Sequence, residues 1–183
     1  MEKKEVIFSG YGGQGVVISS IIYANALSLD GFNVLQTQSY GIEARGGASN
    51  GGLIYSKEEV NHLEIERPDL LIIMSEEAFD KYSKSIKADG TCVLDSSNIP
   101  MSKIESYRDA NPGLTVHSHP FTDISIEKFK STLFTNVLVL GFLCSLNADV
   151  SMENMKMSVK KYIKPEFIEK NIAALELGYS LAH

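Results

Sequence analysis

The run Val6-Ile7-Phe8-Ser9-Gly10-Tyr11-Gly12-Gly13-Gln14-Gly15, followed at once by the apolar stretch Val16 to Leu27, leaves few ways to fold. Three apolar residues meet four glycines within six positions, and a long apolar segment follows. That order reads as strand, glycine turn, helix. Glycine lacks Cβ, so it accepts φ > 0 and lets another backbone or a ligand come close. Gly10, Gly12 and Gly15 fit G-x-G-x-x-G, the phosphate-cradling turn of βαβ units. A helix starting there presents free N–H groups and the positive end of its dipole to an anion. Gly10, Gly12, Gly13, Gln14 and Gly15 are therefore candidates for cofactor or subunit contact.

A dinucleotide site needs one more residue, an acid about 20 positions on, at the end of the second strand. Strand two, Phe32 to Gln38, ends in Gln36 and Gln38. Asp30 precedes that strand, in the turn Asp30-Gly31, and is badly placed for a ribose. An independent NAD(P)-binding dehydrogenase thus fits poorly. A phosphate site and a turn that merely packs helix on sheet both stay open.

Further along, Leu53–Ser56 reads as strand three and Val60–Ile65 as a short strand beside it. Leu70–Met74 and Thr91–Asp95 are continuous apolar runs, as buried parallel strands are. Leu114–Pro120 is the last strand candidate. Helices are expected over 13–29, 75–85, 124–129, 136–147, 151–162 and 167–181, with a loop and one short helix in 96–112. This alternation predicts an α/β fold, three-layer α/β/α, with a mostly parallel, Rossmann-like central sheet. Residues 1–183 carry no repeat or linker and form a single domain.

Charge and hydropathy narrow the partners. The net charge is -6 and no basic run occurs, which disfavours nucleic acid. The apolar stretch Val137–Leu146 is too short to span a bilayer, which needs about 20 residues. Met1–Glu5 has no signal-peptide character, so the expected location is cytoplasmic, off the membrane.

Few residues suggest catalysis. Cys92 and Cys144 sit in apolar runs, outside any C-x-x-C pair; iron–sulfur clusters usually take four thiolates. His117 and His119 share one face of a strand, but a catalytic zinc site needs three protein ligands. No catalytic or metal residue is assigned. The segment 39–52 is more suggestive. It holds five glycines around Tyr40, Gly41, Glu43, Arg45, Gly46 and Gly47, and it reads as a loop. Loops after a strand's carboxyl end are where open α/β sheets place ligands. Arg45 offers a five-donor fork for phosphate or carboxylate.

Together these loops carry a resemblance. Gly10-Tyr11-Gly12-Gly13-Gln14-Gly15 and Ser39-Tyr40-Gly41-Ile42-Glu43-Ala44-Arg45-Gly46-Gly47 resemble the gamma subunit of 2-oxoacid:ferredoxin oxidoreductases. The similarity continues through Arg67-Pro68-Asp69, Phe134-x-Asn136-x-x-x-Leu140-Gly141 and Asn171-x-x-Ala174-Leu175-x-x-Gly178. It implies a non-autonomous subunit of a complex that decarboxylates a 2-oxoacid on thiamine diphosphate. Electrons pass through Fe-S clusters to ferredoxin, and the acyl group goes to coenzyme A. The thiamine and cluster sites belong to other subunits, so this chain alone is expected to bind no cofactor. Its partners are alpha and beta subunits, with delta as an optional further one, and ferredoxin indirectly. Pyruvate enzymes tend to a different second loop. Tyr40–Asn50 is more similar to the 2-oxoglutarate and 2-oxoisovalerate branches, with Ile42 where proline is frequent. The implied substrate is 2-oxoglutarate. A subunit that acts purely as an assembly scaffold is the rival reading.

Overall fold

The structure is a computed structural model, and it describes residues 3–39, 48–61 and 64–182. Its strands are β1 (Lys4–Tyr11), β2 (Asn33–Ser39), β3 (Ala48–Ser56), β4 (Leu70–Ile73), β5 (Thr91–Asp95) and β6 (Thr115–His119). Its helices are α1 (Val16–Leu29), α2 (Glu76–Tyr82), α3 (Met101–Ala110), α4 (Phe121–Phe129), α5 (Thr135–Leu146), α6 (Met152–Tyr162) and α7 (Ile168–Ser180). Short 3-10 turns, Thr132–Phe134 and Pro165–Phe167, lead into α5 and α7.

The six strands form one sheet in the order β2-β3-β1-β4-β5-β6. β1, β4, β5 and β6 run parallel, and β3 lies antiparallel between β1 and β2. Alternation along the strands supplies two apolar faces. Val6, Phe8, Leu53, Ile72 and Val93 face a large core built with α1, α4, α5, α6 and α7. Ile7, Leu71, Ile73, Cys92 and Leu94 face a smaller one with α2 and α3. The result is the expected three-layer α/β/α arrangement.

Two strand expectations need correction. β3 begins at Ala48, five residues before the expected Leu53. Gly51 and Gly52 are there because side chains would collide: a Cβ would meet Ser20 Oγ at 2.4 Å or Ile65 Cδ1 at 2.6 Å. Of the expected strand Val60–Ile65, residues 60, 61, 64 and 65 are outside any strand. Ile65 packs over Gly52 instead.

Half-buried carboxylates fasten the elements. Asp69 ties the amino ends of three strands: its N–H donates to Glu5 O, its carboxylate accepts from Glu5 N at 2.7 Å, and its carbonyl accepts from Thr91 N. Asp30 is a fastener too, accepting from Ser151 N at 2.9 Å and Asn154 Nδ2 at 2.7 Å at the start of α6. α5 is buried over Thr135–Cys144. It packs on α7 where Gly141 and Gly178 bring the backbones together; a Cβ on either glycine would sit 1.9 Å from a carbonyl oxygen of the other helix.

Candidate functional site

β1, β4, β5 and β6 share a direction, so their following turns gather at one edge of the sheet. The glycine turn 12–15 lies there, beside the start of β3, because Tyr11 pairs with Ala48. Ser39 pairs with Asn50 at the same edge, so the segment 40–47 joins two strand ends next to the turn. Tyr40, Gly41, Glu43, Arg45, Gly46 and Gly47 lie outside the described residues.

The turn's glycines divide by role. A Cβ at Gly10 would lie 2.4 Å from Gln14 Oε1, and one at Gly15 2.7 Å from Asn136 Nδ2. Those two positions are glycine because protein packs against them. Gly12 and Gly13 are exposed, and a Cβ at either would meet nothing within 4 Å. They are open to a visitor. Gly13 and Gly15 also take φ of 99° and 75°, which favours glycine.

Gln14 braces the turn. Its Oε1 accepts from Tyr11 N at 3.0 Å, and its Nε2 donates to Met74 O at 2.8 Å. The turn is thereby clipped to the end of β4. The N–H groups of Gly12, Gly13 and Gly15 have no acceptor among the described residues. α1 then starts with Gly15 at its cap, without a side-chain cap and without an acid in its first turn. The dipole's positive end is left open.

Two clefts flank the turn. The smaller, about 180 Å³, lies between Tyr11–Gln14, Met74 and the threonines Thr122, Thr132 and Thr135. The larger, about 310 Å³, runs from Gly13–Gly15 and Asn136 to Leu133, Tyr162, Lys164 and Phe167. Leu133 is 68% exposed, and Tyr11, Tyr162 and Phe167 are also exposed. Sequence reasoning missed Thr132, Thr135, Tyr162 and Phe167 as cleft residues. They come from elements more than a hundred positions after the turn, and no local spacing links them to it.

The dinucleotide reading fares poorly in this geometry. β3 separates β2 from β1, which puts the end of β2 about 10 Å from the turn's own strand. Gln36 is occupied by Ser20 Oγ at 3.0 Å. The cysteines lie in different cores on opposite sheet faces, and burial pushes each thiol up to about 12. His117 and His119 pack against Phe142, at 5.6 and 4.7 Å between ring centroids. No group of three metal-ligating side chains occurs among the described residues.

A family profile described as pyruvate ferredoxin/flavodoxin oxidoreductase matches residues 5–181. The chain belongs to this family. Within it, the chain is a gamma-type oxidoreductase subunit. It is 35% identical over 181 residues to the 2-oxoglutarate synthase subunit KorC of Methanocaldococcus jannaschii, covering 98% of this chain and 94% of that one. The keto/oxoacid ferredoxin oxidoreductase gamma subunit of Geobacter sulfurreducens superposes with a TM-score of 0.83 at 30% identity, over 100% and 98% of the two chains. The same fold occupies 31% of a longer chain, the 2-oxoglutarate:ferredoxin oxidoreductase of Magnetococcus marinus bound to 2-oxoglutarate, coenzyme A and succinyl-CoA. There the TM-score is 0.85 at 22% identity, and all of the present chain is covered.

Among the described residues of this gamma-type subunit, no helix is long and apolar enough to cross a membrane.

Proposed function

We propose that this chain is the gamma subunit of a 2-oxoglutarate:ferredoxin oxidoreductase. The complex oxidatively decarboxylates 2-oxoglutarate to its acyl-CoA and reduces ferredoxin. Thiamine diphosphate and Fe-S clusters reside on the alpha and beta partners in this reading. The likeness to 2-oxoglutarate synthase subunits supports the substrate. One structural observation carries the subunit's role. The carboxyl edge of the sheet presents open glycine N–H groups between two clefts, and among the described residues neither cleft is lined by a cysteine, a histidine or a carboxylate. Such an edge is suited to positioning a ligand.

The donor-rich turn fits a phosphorylated cofactor, and coenzyme A is the one the reaction requires. It would supply the thiol that accepts the acyl group. Gly12, Gly13 and the start of α1 would face its phosphates, with Lys164 at the rim of the larger cleft. Arg45 and Glu43, in the segment between Ser39 and Ala48, would complete the contact to coenzyme A or to a partner subunit.

The test is reconstitution with the alpha and beta subunits and an assay of 2-oxoacid-dependent viologen reduction. The isolated chain should give no turnover, and the complex should prefer 2-oxoglutarate to pyruvate and 2-oxoisovalerate. Arg45→Ala should raise the KM for coenzyme A or weaken subunit association. Turnover by the chain alone, or preference for another 2-oxoacid, would sink the assignment. So would NADH binding near 1 μM, equivalent to about 8 kcal/mol, because it would restore the dehydrogenase reading.

A further inference from the structure

We propose that β2 is the seam of a symmetric pair, in which β2 of a second copy of this chain adds antiparallel to its outer edge and joins the two sheets into one. β2 ends the sheet and pairs only with β3. Among the described residues, no strand lies beside the N–H and C=O groups of its other side. Such an edge is a template for another strand. Proteins that keep an edge to themselves place Lys, Pro or a covering side chain on it. Asn33–Ser39, seven residues long, has no Lys, Arg, Asp, Glu or Pro.

The opposite edge of the same sheet is protected. β6 has five residues and runs straight into Pro120. Thr115 N donates to Gly90 O, and His119 O accepts from Ser96 N, so both residues bond toward β5. By alternation, the backbone groups of Val116 and Ser118 point outward. Arg108 of α3 reaches over that edge and donates to Val116 O at 3.3 Å and to Ser118 Oγ at 3.4 Å. A guanidinium thus sits where an added strand would bond. Among the described residues, no side chain is placed this way on β2.

The side chains of β2 favour its own copy. Gln36 donates to Ser20 Oγ and Val34 packs on the large core, so both turn toward α1. Leu35 and Thr37 alternate to the other face. Leu35 is half-buried and belongs to neither apolar core. Beside Thr37 a cleft of about 290 Å³ opens at Gly52, walled by Ile7, Ile65 and Tyr82, with Glu66 exposed at its rim. In an antiparallel pair centred on Gln36, Leu35 of each copy lies opposite Thr37 of the other, where facing Cβ atoms are about 4.5–5.5 Å apart. Each copy then offers one leucine to the cleft of the other. A net charge of -6 opposes self-association across charged surface, and β2 brings no charge against its copy. A two-fold pair needs only one such patch, used twice. The pairing does not depend on the reaction proposed above.

Sedimentation equilibrium of the full-length chain over a concentration series should show a reversible dimer. Leu35→Lys enters the two-fold seam twice and should weaken the dimer about a hundredfold, equivalent to about 2.8 kcal/mol. Thr115→Lys, the same charge at the exposed start of β6, should leave the dimer unchanged. If Leu35→Lys misfolds by circular dichroism, Thr37→Lys takes its place. Amide hydrogen exchange of the wild type tests the seam without any variant. Consecutive amides from Val34 to Gln38 should exchange slowly in the dimer, and alternate ones should become fast on dilution to the monomer. A monomer at every concentration, or a dimer whose alternate β2 amides stay fast, overturns the proposal. So does protection of those amides only after alpha and beta subunits are added, which would give the edge to a strand of another subunit.

Discussion

Gly141 and Gly178 set how closely α5 and α7 approach, and the demand is severe. A Cβ on Gly141 would lie 1.9 Å from Leu175 O and 3.0 Å from Tyr179 N; one on Gly178 would lie 1.9 Å from Leu138 O. The obstacles are backbone atoms, which cannot swing aside as a side-chain tip can. Gly141→Ala must push the two helices apart and disturb the packing of Leu138, Leu140 and Leu175, all fully buried. Overpacking of this kind costs about 1–3 kcal/mol and sometimes more. Gly141→Ala should lower the unfolding free energy by about that amount in a denaturant titration, while Gly12→Ala, with open space around it, should change stability far less. Equal effects from the two would contradict this division. The same contrast shows what a spacing rule can read. The pattern at Gly10, Gly12 and Gly15 marked a turn that needs glycine, and the turn is there. It could not tell that Gly10 and Gly15 answer to Gln14 and Asn136 while Gly12 and Gly13 face open space. Those reasons depend on atoms brought together only by folding. Gln14 shows the same limit. Its place in a phosphate-type motif suggested a ligand contact, and spacing alone did not show that its amide is also fixed to the Tyr11 and Met74 backbone.

Among the elements, the β2–β3 hairpin departs furthest from a simple βαβ reading. The parallel strands and their helices were legible because apolar runs and helical spacing are local. The insertion of β3 between β1 and β2 was not, since pairing order is set by contacts between distant segments. Ala48–Gly52 was also hidden, because glycines normally weaken a strand. Here Gly51 and Gly52 are needed for Val17 and Ser20 of α1 and for Thr37 and Ile65 to come close. The joint between α1 and α6 repeats the lesson. Asp30 looked like a turn residue badly placed for a ribose, and the structure makes it the brace for the first turn of α6. Ser151 caps that turn by accepting from Asn154 N at 3.2 Å. Asp30→Ala would leave Ser151 N and Asn154 Nδ2 without this acceptor. Hydrogen bonds to a charged group contribute about 1.5–3 kcal/mol each, though part of that is recovered where water can reach the donors. The expected loss is about 1–2 kcal/mol by denaturant titration. Hydrogen exchange should quicken first in α6; protection of α6 equal to wild type would refute the brace.

For the molecule as a whole, acid should loosen the fold in two separate steps. The first belongs to β6, the edge strand farthest from the hairpin. His117 and His119 lie half-buried against Phe142, with His119 also beside Phe121. Burial lowers both pKa values from the usual histidine range, and for His117 the neighbouring His119 and Arg108 lower it further. The folded chain therefore holds both imidazoles neutral at a pH where the unfolded chain would protonate them. Between the folded and unfolded pKa values the unfolded state binds more protons, so stability rises with pH there. The histidine contribution is complete above an unfolded pKa of about 6.5 and is lost as pH falls toward the folded values. The second step belongs to Asp149. Burial works to raise its pKa, but hydrogen bonds from Lys4 and Tyr55 prevail and hold it below the usual carboxylate range. Its contribution is present above about pH 4 and disappears below that. Denaturant midpoints should thus fall between pH 7.5 and pH 5.5. The double variant His117→Gln with His119→Gln should flatten that segment, since glutamine does not titrate. Asp149→Asn should leave the segment intact and flatten the curve below pH 4. If the double variant loses as much stability as wild type between pH 7.5 and 5.5, the histidines on β6 are not the groups that titrate there.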